Sequence, residues 1–265
     1  MRLKRFLFAA FSIFLGVDAA TAAAQTPFAG TWKLDQEKSQ LTGDTMKFGP
    51  AQDNAVEMVA GGMTYSFRTD GNNYAMPTGN IASWRQTGPD SWTTEYRTTS
   101  GKLLSSDRWK LSADGKGLTV VSSGVKASGD LYTNTVDYVR TEGSGESPIG
   151  LIGSWKSSSV KLGAPSDLVI EVSGLYALTL KIPDSNATCR ATLDGKEAPC
   201  EGPEVPTGLR IALTRTGPYS MKMVQNLNGK TISSWAFTAA DDGKTLTQVG
   251  GTPGDSTKTL IWEKE

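Results

Sequence analysis

The chain has 265 residues, 38% of them hydrophobic and 20% charged, a composition that excludes a disordered or fibrous protein. Lys and Arg number 27, Asp and Glu number 27, and there is no histidine. The missing imidazole excludes Ser-His-Asp and Cys-His catalysis, His-ligated zinc and an imidazole proton shuttle. The balanced charge offers no basic surface to nucleic acid.

Arg2, Lys4 and Arg5 precede the apolar run Phe6–Leu15, whose ten residues are too few to span a bilayer. Ala22-Ala23-Ala24 before Gln25 is an A-x-A cleavage pattern. Residues 1–24 are therefore expected to be a signal peptide cut after Ala24, with an uncleaved anchor as the alternative. The cut removes three basic residues and Asp18, leaving a mature net charge of −2. No later stretch approaches the roughly 20 apolar residues of a membrane helix. The expected location is periplasmic or secreted, without a membrane span.

The mature chain reads as two copies of one pattern. Phe28-Ala-Gly-Thr-Trp-Lys-Leu34 recurs as Leu151-Ile-Gly-Ser-Trp-Lys-Ser157. Asp70-Gly71 recurs as Asp194-Gly195, and Asp114-Gly115 as Asp242-Gly243. Lys102–Trp109 resembles Lys230–Trp235 with a small shift, and Thr135–Arg140 aligns with Thr259–Lys264. Residues 25–141 and 151–265 are expected to be two domains, joined by the Gly/Ser-rich linker 142–150.

Within each copy the apolar period is two. Tyr65 and Phe67 alternate with Thr64, Ser66 and Arg68, and Trp92, Thr94 and Tyr96 with Thr93 and Glu95. Leu178, Leu180 and Ile182, then Leu209, Ile211 and Leu213, continue the pattern. Short strands between Asp-Gly and Gly-Pro turns predict an all-β chain. Closure removes sticky sheet edges, so two tandem antiparallel up-and-down β-barrels are expected.

Cys189 and Cys200 are the only cysteines and lie symmetrically about Asp194-Gly195, a hairpin signal in which both turn positions take positive φ. Counting outward places them opposite one another, within disulfide reach. An exported compartment favours the bridge, worth about 3 kcal/mol for so short a loop. A redox-active pair would need CxxC spacing or a basic cluster, and neither is present. At the same offset, copy one would oppose Tyr65 and Met76.

Gly30-Thr-Trp32 resembles the Gly-x-Trp signature of lipocalins and related calycin barrels. With Glu37-Lys-Ser39, Tyr74–Gly79 and Tyr138-Val-Arg140, it resembles more closely the secreted bacterial lipocalin-like domains, a largely uncharacterised group. Copy two repeats Gly153-Ser-Trp155 but lacks the Glu-Lys-Ser stretch. The resemblance implies that Trp32 and Trp155 are structural residues of the barrel floor and that Arg140 stacks on Trp32. Lys264 stands in the place of Arg140 in copy two and lacks its planar fork.

The resemblance also implies an apolar cavity for a small lipophilic molecule. Its candidate lining in copy one is Tyr65, Phe67, Trp84, Trp92, Tyr96 and Trp109; the alternative is that these side chains simply fill the barrel. Copy one is the expected binder, because copy two is richer in short aliphatics. Arg68, Arg85 and Arg97 would hold an anionic head if they pointed inward, but alternation puts Arg68 and Arg97 opposite the aromatic faces. Glu95 and Asp137 are the strand carboxylates available for acid–base work. No catalytic motif, metal cluster or cofactor fingerprint is present. Asn186-Ala-Thr188 matches a glycosylation sequon. The reading is an exported carrier or sensor of a small lipophilic ligand. The alternatives are a cofactor-free enzyme and an envelope interaction protein with filled barrels.

Overall fold

The computed structural model describes residues 27–143, 150–173 and 176–265. The expected signal peptide and the centre of the expected linker lie outside the described residues. The first copy forms β1 (Gly30–Asp35), β2 (Thr45–Pro50), β3 (Val56–Ala60), β4 (Met63–Phe67), β5 (Asp70–Ala75), β6 (Ile81–Gly88), β7 (Ser91–Arg97), β8 (Leu103–Leu111), β9 (Gly117–Val125) and β10 (Leu131–Glu142). The second forms β11 (Gly153–Lys161), β12 (Asp167–Val172), β13 (Ala177–Ile182), β14 (Ala187–Thr192), β15 (Asp194–Glu201), β16 (Leu209–Arg215), β17 (Ser220–Leu227), β18 (Lys230–Ala239), β19 (Thr245–Gly251) and β20 (Lys258–Lys264).

These strands make two antiparallel barrels, but the barrels are not the two sequence copies. In one, β12 to β20 follow chain order, and β1 closes the ring by pairing with both β20 and β12. In the other, β11 sits between β10 and β2. The first strand of each copy thus completes the barrel of the other. Barrel one is the ten-stranded sheet β2–β11; barrel two is the ten-stranded ring β12–β20 with β1. Both exceed the eight strands of a lipocalin barrel.

The exchanged strands are near-copies, so each fits either site. Trp32 and Trp155 are fully buried, and each indole N–H donates to the carbonyl four residues back, Phe28 at 2.8 Å and Leu151 at 2.9 Å. Both strands open on a glycine with positive φ, Gly30 and Gly153. A Cβ on Gly153 would lie 2.4 Å from the Glu142 carbonyl oxygen, so the close approach requires glycine.

The exchange corrects the expected stacking. Arg140 lies over Trp155, with its guanidinium 4.1 Å from the ring centroid, and Lys264 lies over Trp32 at 5.3 Å. Each basic residue caps the tryptophan that has entered its barrel. Arg140 also donates to the carbonyls of Gly115, Ile152 and Gly150 at 2.7, 2.5 and 2.6 Å. The three bonds come from three separate nitrogens of a planar fork that also lies over the ring, which the single nitrogen of an ammonium does not reproduce.

Two connectors carry the chain across. Residues 36–44 lead from β1 to β2, and 162–166 from β11 to β12. The buried Ser157 hydroxyl accepts the N–H groups of Gly43 and Asp44 at 2.8 and 3.0 Å. Lys126 of barrel one pairs with Asp184 of barrel two at 2.9 Å and donates to the Pro165 carbonyl at 3.2 Å.

The Asp-Gly turns differ from the expected hairpins. Only the glycines, Gly71 and Gly195, have positive φ, so neither turn is of the two-residue mirror type. Each aspartate instead starts a strand with a bulge and accepts the N–H two residues on, Asn72 or Lys196. In barrel two, β14 and β15 pair at two positions only, Thr188 with Glu201 and Cys189 with Cys200, and the second pair is the expected disulfide. In barrel one, β4 and β5 form no ladder, so the expected opposition of Tyr65 and Met76 is not realised; Tyr65 pairs with Met58 on β3.

Candidate ligand site

Strand registers align the two interiors position by position. Trp92 pairs with Trp109 across β7 and β8, as Met221 pairs with Phe237 across β17 and β18. Thr94 with Asp107 matches Met223 with Trp235, and Tyr96 with Ser105 matches Gln225 with Ser233. Phe237, not Trp235, therefore occupies the place of Trp109, and Trp235 stands where Asp107 does. On the neighbouring strands Tyr65 matches Cys189, Phe67 matches Ala191, Trp84 matches Leu213 and Phe48 matches Ile170. At most of its aromatic positions barrel one is larger than barrel two.

Barrel one is filled by this bulk. Phe67 stacks on Trp84 with centroids 4.2 Å apart, Trp84 lies 4.9 Å from Trp109, and Phe48 meets all three edge-on. Phe67, Trp84, Trp92 and Trp109 are buried in this core, with Tyr65 and Tyr96 packed against it. The six candidate lining residues therefore meet one another. The Tyr65 hydroxyl accepts the Trp84 indole N–H at 3.0 Å.

Barrel two has a cavity of about 280 Å³. Leu168, Leu180, Cys189, Ile211, Met223 and Phe237 make its apolar wall, with Trp235 and Trp262 as the large aromatics. Gln225 and Gln248 are its amides. The Gln248 amide oxygen accepts the Trp262 indole N–H at 2.9 Å, and the Gln225 oxygen accepts the Ser233 hydroxyl. With both oxygens engaged, the amide nitrogens and the Ser166 hydroxyl are donors on this wall, and Asp167 adds a carboxylate. The expected binder was copy one; the cavity lies in the other barrel, where Cys189 and Gln225 replace two tyrosines.

Arg68 and Arg85 are exposed, and Arg97 pairs with Glu95 at 2.8 Å, so none of the three turns into a barrel. Asp137 accepts the Thr119 hydroxyl at 2.7 Å at the surface of its strand. The deeply buried acid is Asp107, which sequence reasoning missed. It sits two residues before Trp109 on one strand, and that parity is the signal that turns it inward. Burial pushes its carboxyl up to about 6, against the Ser122 and Tyr96 hydroxyls, which favour the ionised form. Burial likewise raises the Tyr65 hydroxyl to about 12 and Tyr96 well above the ordinary range. Among the described residues no three His, Cys, Asp or Glu side chains gather where they could hold a metal ion, and no helix is long and apolar enough to cross a membrane.

No family model and no curated protein matches this chain. Among solved structures it is similar to a presumed outer membrane protein of Bacteroides fragilis, at 10% identity and a TM-score of 0.18, over 90% of this chain and 98% of that one. It is also similar to a porin-like protein of Bacteroides uniformis, at 11% identity and a TM-score of 0.15, over 91% of this chain and 98% of that one. Scores this low carry no argument about fold or function, and the chain's own geometry supplies the functional reading.

Proposed function

We propose that this protein is an exported carrier or sensor whose ligand, a small lipophilic molecule, binds inside barrel two. The observation that carries the reading is the apolar cavity of about 280 Å³ with two tryptophans and two amides on its wall. Its size is near the lower end for small-molecule sites, and few polar groups on an apolar wall is their usual character. The disulfide supports an oxidising compartment outside the cytoplasm. Apolar side chains such as Trp32 and Trp84 point inward and charged ones such as Lys33 and Arg85 outward, the reverse of a membrane-spanning barrel. The lipocalin-like resemblance agrees in use, although the strand number departs from that family.

Trp235 and Trp262 report on the site. Titration of the mature chain with small aromatic and aliphatic compounds is expected to quench fluorescence saturably. Gln225→Tyr places in barrel two the residue that barrel one already carries at that position, and it should abolish the signal while the chain stays folded. A panel that gives no saturable quenching removes the carrier reading.

A second reading has one observation in its favour. Asp107 is a buried carboxyl beside two tyrosines, the kind of group a cofactor-free acid–base enzyme would use. Tyr65 and Tyr96 occupy the room a substrate would need, and this places the cavity ahead of the acid.

A further inference from the structure

The cavity of barrel two shares part of its wall with a second space. Two of its lining residues, Ser166 and Ile182, also line a second cavity of about 320 Å³ lying between the barrels. Ser166 belongs to the connector that carries the exchanged chain from β11 to β12. The strand exchange therefore builds a mouth shared by both spaces.

The two compartments differ in chemistry. The inner one is walled mainly by Leu, Ile, Met, Phe and Trp, with Gln225, Gln248 and Asp167 as its polar side chains besides Ser166. The cleft carries hydroxyls from both barrels: Ser105 and Tyr132 from barrel one, Ser166 and Ser185 from barrel two. Its charged groups are neutralised in pairs. Asp184 pairs with Lys126 at 2.9 Å and Glu204 with Lys102 at 2.9 Å. Asp167, the residue after Ser166, lines the barrel-two cavity and has a buried carboxylate oxygen without a hydrogen-bond partner among the described residues. An acceptor in that state wants a donor.

We propose that the ligand is an uncharged amphiphile, its apolar body in barrel two and a hydroxyl-bearing head in the cleft between the barrels. This rests on the carrier reading and adds the chemical class of the ligand. A carboxylate head would find Lys126 and Lys102 already paired and would meet the two carboxylates of the cleft, Asp184 and Glu204. An ammonium head would bring a like charge to Lys126 and find Asp184 and Glu204 already paired. A hydroxyl-bearing head can exchange hydrogen bonds with the serines and Tyr132 of the cleft, and a hydroxyl next to the apolar body can donate to Asp167 on the inner wall.

The test compares ligands with one tail and different heads, on the full mature chain, below any micelle concentration. n-Octyl glucoside, octanoate and octylammonium carry the heads, and toluene serves as a headless probe. The glucoside is expected to bind at least about tenfold more tightly than either ion. Ser105→Ala and Tyr132→Phe lie on barrel one, yet each should weaken glucoside binding about three- to tenfold, the value of one hydrogen bond. Both should leave toluene binding unchanged, which also reports that barrel two is folded. Toluene binding with no advantage for the glucoside overturns the amphiphile while the carrier reading stands. Tighter binding of octanoate or octylammonium also overturns it. Absence of binding by all four removes the carrier reading and the amphiphile together.

Discussion

Barrel one and barrel two share a ten-strand plan and differ in what closes and fills them. Barrel one has no ladder between β4 and β5, and its core is a ring-on-ring aromatic cluster. Barrel two has a cavity at the level where Cys189 and Gln225 stand for Tyr65 and Tyr96, and its corresponding seam, β14 to β15, is held by the Cys189–Cys200 bond. Cys189 stands at the position of Tyr65 and lines the cavity. The difference teaches how one duplicated scaffold tolerates a hollow interior. Emptying a core loses dispersion contacts along its whole wall. A covalent link at the weak seam offsets part of that loss without refilling the space.

The largest effect separates the barrels from the sequence halves. Trp155→Ala removes a fully buried indole and its hydrogen bond, at a cost of about 3–5 kcal/mol. Although Trp155 lies in the second copy, hydrogen exchange is expected to accelerate in β2–β10 and to stay slow in β12–β20. Trp32→Ala should do the reverse. Acceleration within the mutated residue's own copy would show that the strands are not exchanged in solution.

Next comes the seam. Cys189→Ala with Cys200→Ala should cost about 3 kcal/mol on the chain-entropy argument. The loss belongs to barrel two alone, so exchange protection in β14 and β15 should fall to the level of β4 and β5. Equal loosening of both barrels would mean that the bridge steadies the whole molecule and not the hollow half.

Much of this was legible beforehand, and the failures share a cause. Period-two alternation located the strands because a strand's faces differ by parity, and the symmetric spacing of Cys189 and Cys200 placed them opposite each other. The exchange was not legible. Gly30-Thr-Trp32 and Gly153-Ser-Trp155 are so alike that nothing local distinguishes the two ways of closing the rings. The same ambiguity sent Arg140 to the wrong tryptophan. The sequence reading puts the candidate wall where aromatic residues are richest, and the cavity lies elsewhere. In a narrow barrel large rings meet each other first, and space opens where residues are small. Asp107 was hidden in Ser105-Ser106-Asp107-Arg108-Trp109, which reads as polar until Trp109 fixes the inward parity.

Asp107 marks another difference between the interiors, since Trp235 holds its place in barrel two. Its carboxyl, raised by burial to about 6 from 3.8, binds its proton more tightly in the folded chain than in the unfolded one. Its contribution is therefore harmless below about pH 4 and is progressively destabilising as pH rises toward 6, after which it is constant. The full cost is about 2–3 kcal/mol. Asp107→Asn should leave stability near that of the parent at pH 4 and raise it by about 2 kcal/mol at pH 7.5, read from urea unfolding followed by barrel-one tryptophan signals. A gain that is the same at both pH values would mean that ionisation of Asp107 is not the cause.

The smallest effect concerns its neighbour across the ladder. Thr94 pairs with Asp107, is fully buried, and has a hydroxyl without a hydrogen-bond partner among the described residues. Barrel two places Met223 there, so the position has no need of a polar atom. Thr94→Val keeps the shape and the β-branch that a strand favours, and it removes a desolvated hydroxyl. An unpaired buried group costs about 1–3 kcal/mol, so the variant is expected to gain about 1 kcal/mol after small packing losses. Thermal or urea unfolding of barrel one reads the gain. A loss of stability would mean that the hydroxyl has a partner, a bound water being the nearest possibility, and that the polar string through Tyr65, Tyr96 and Asp107 extends one residue further than its present members.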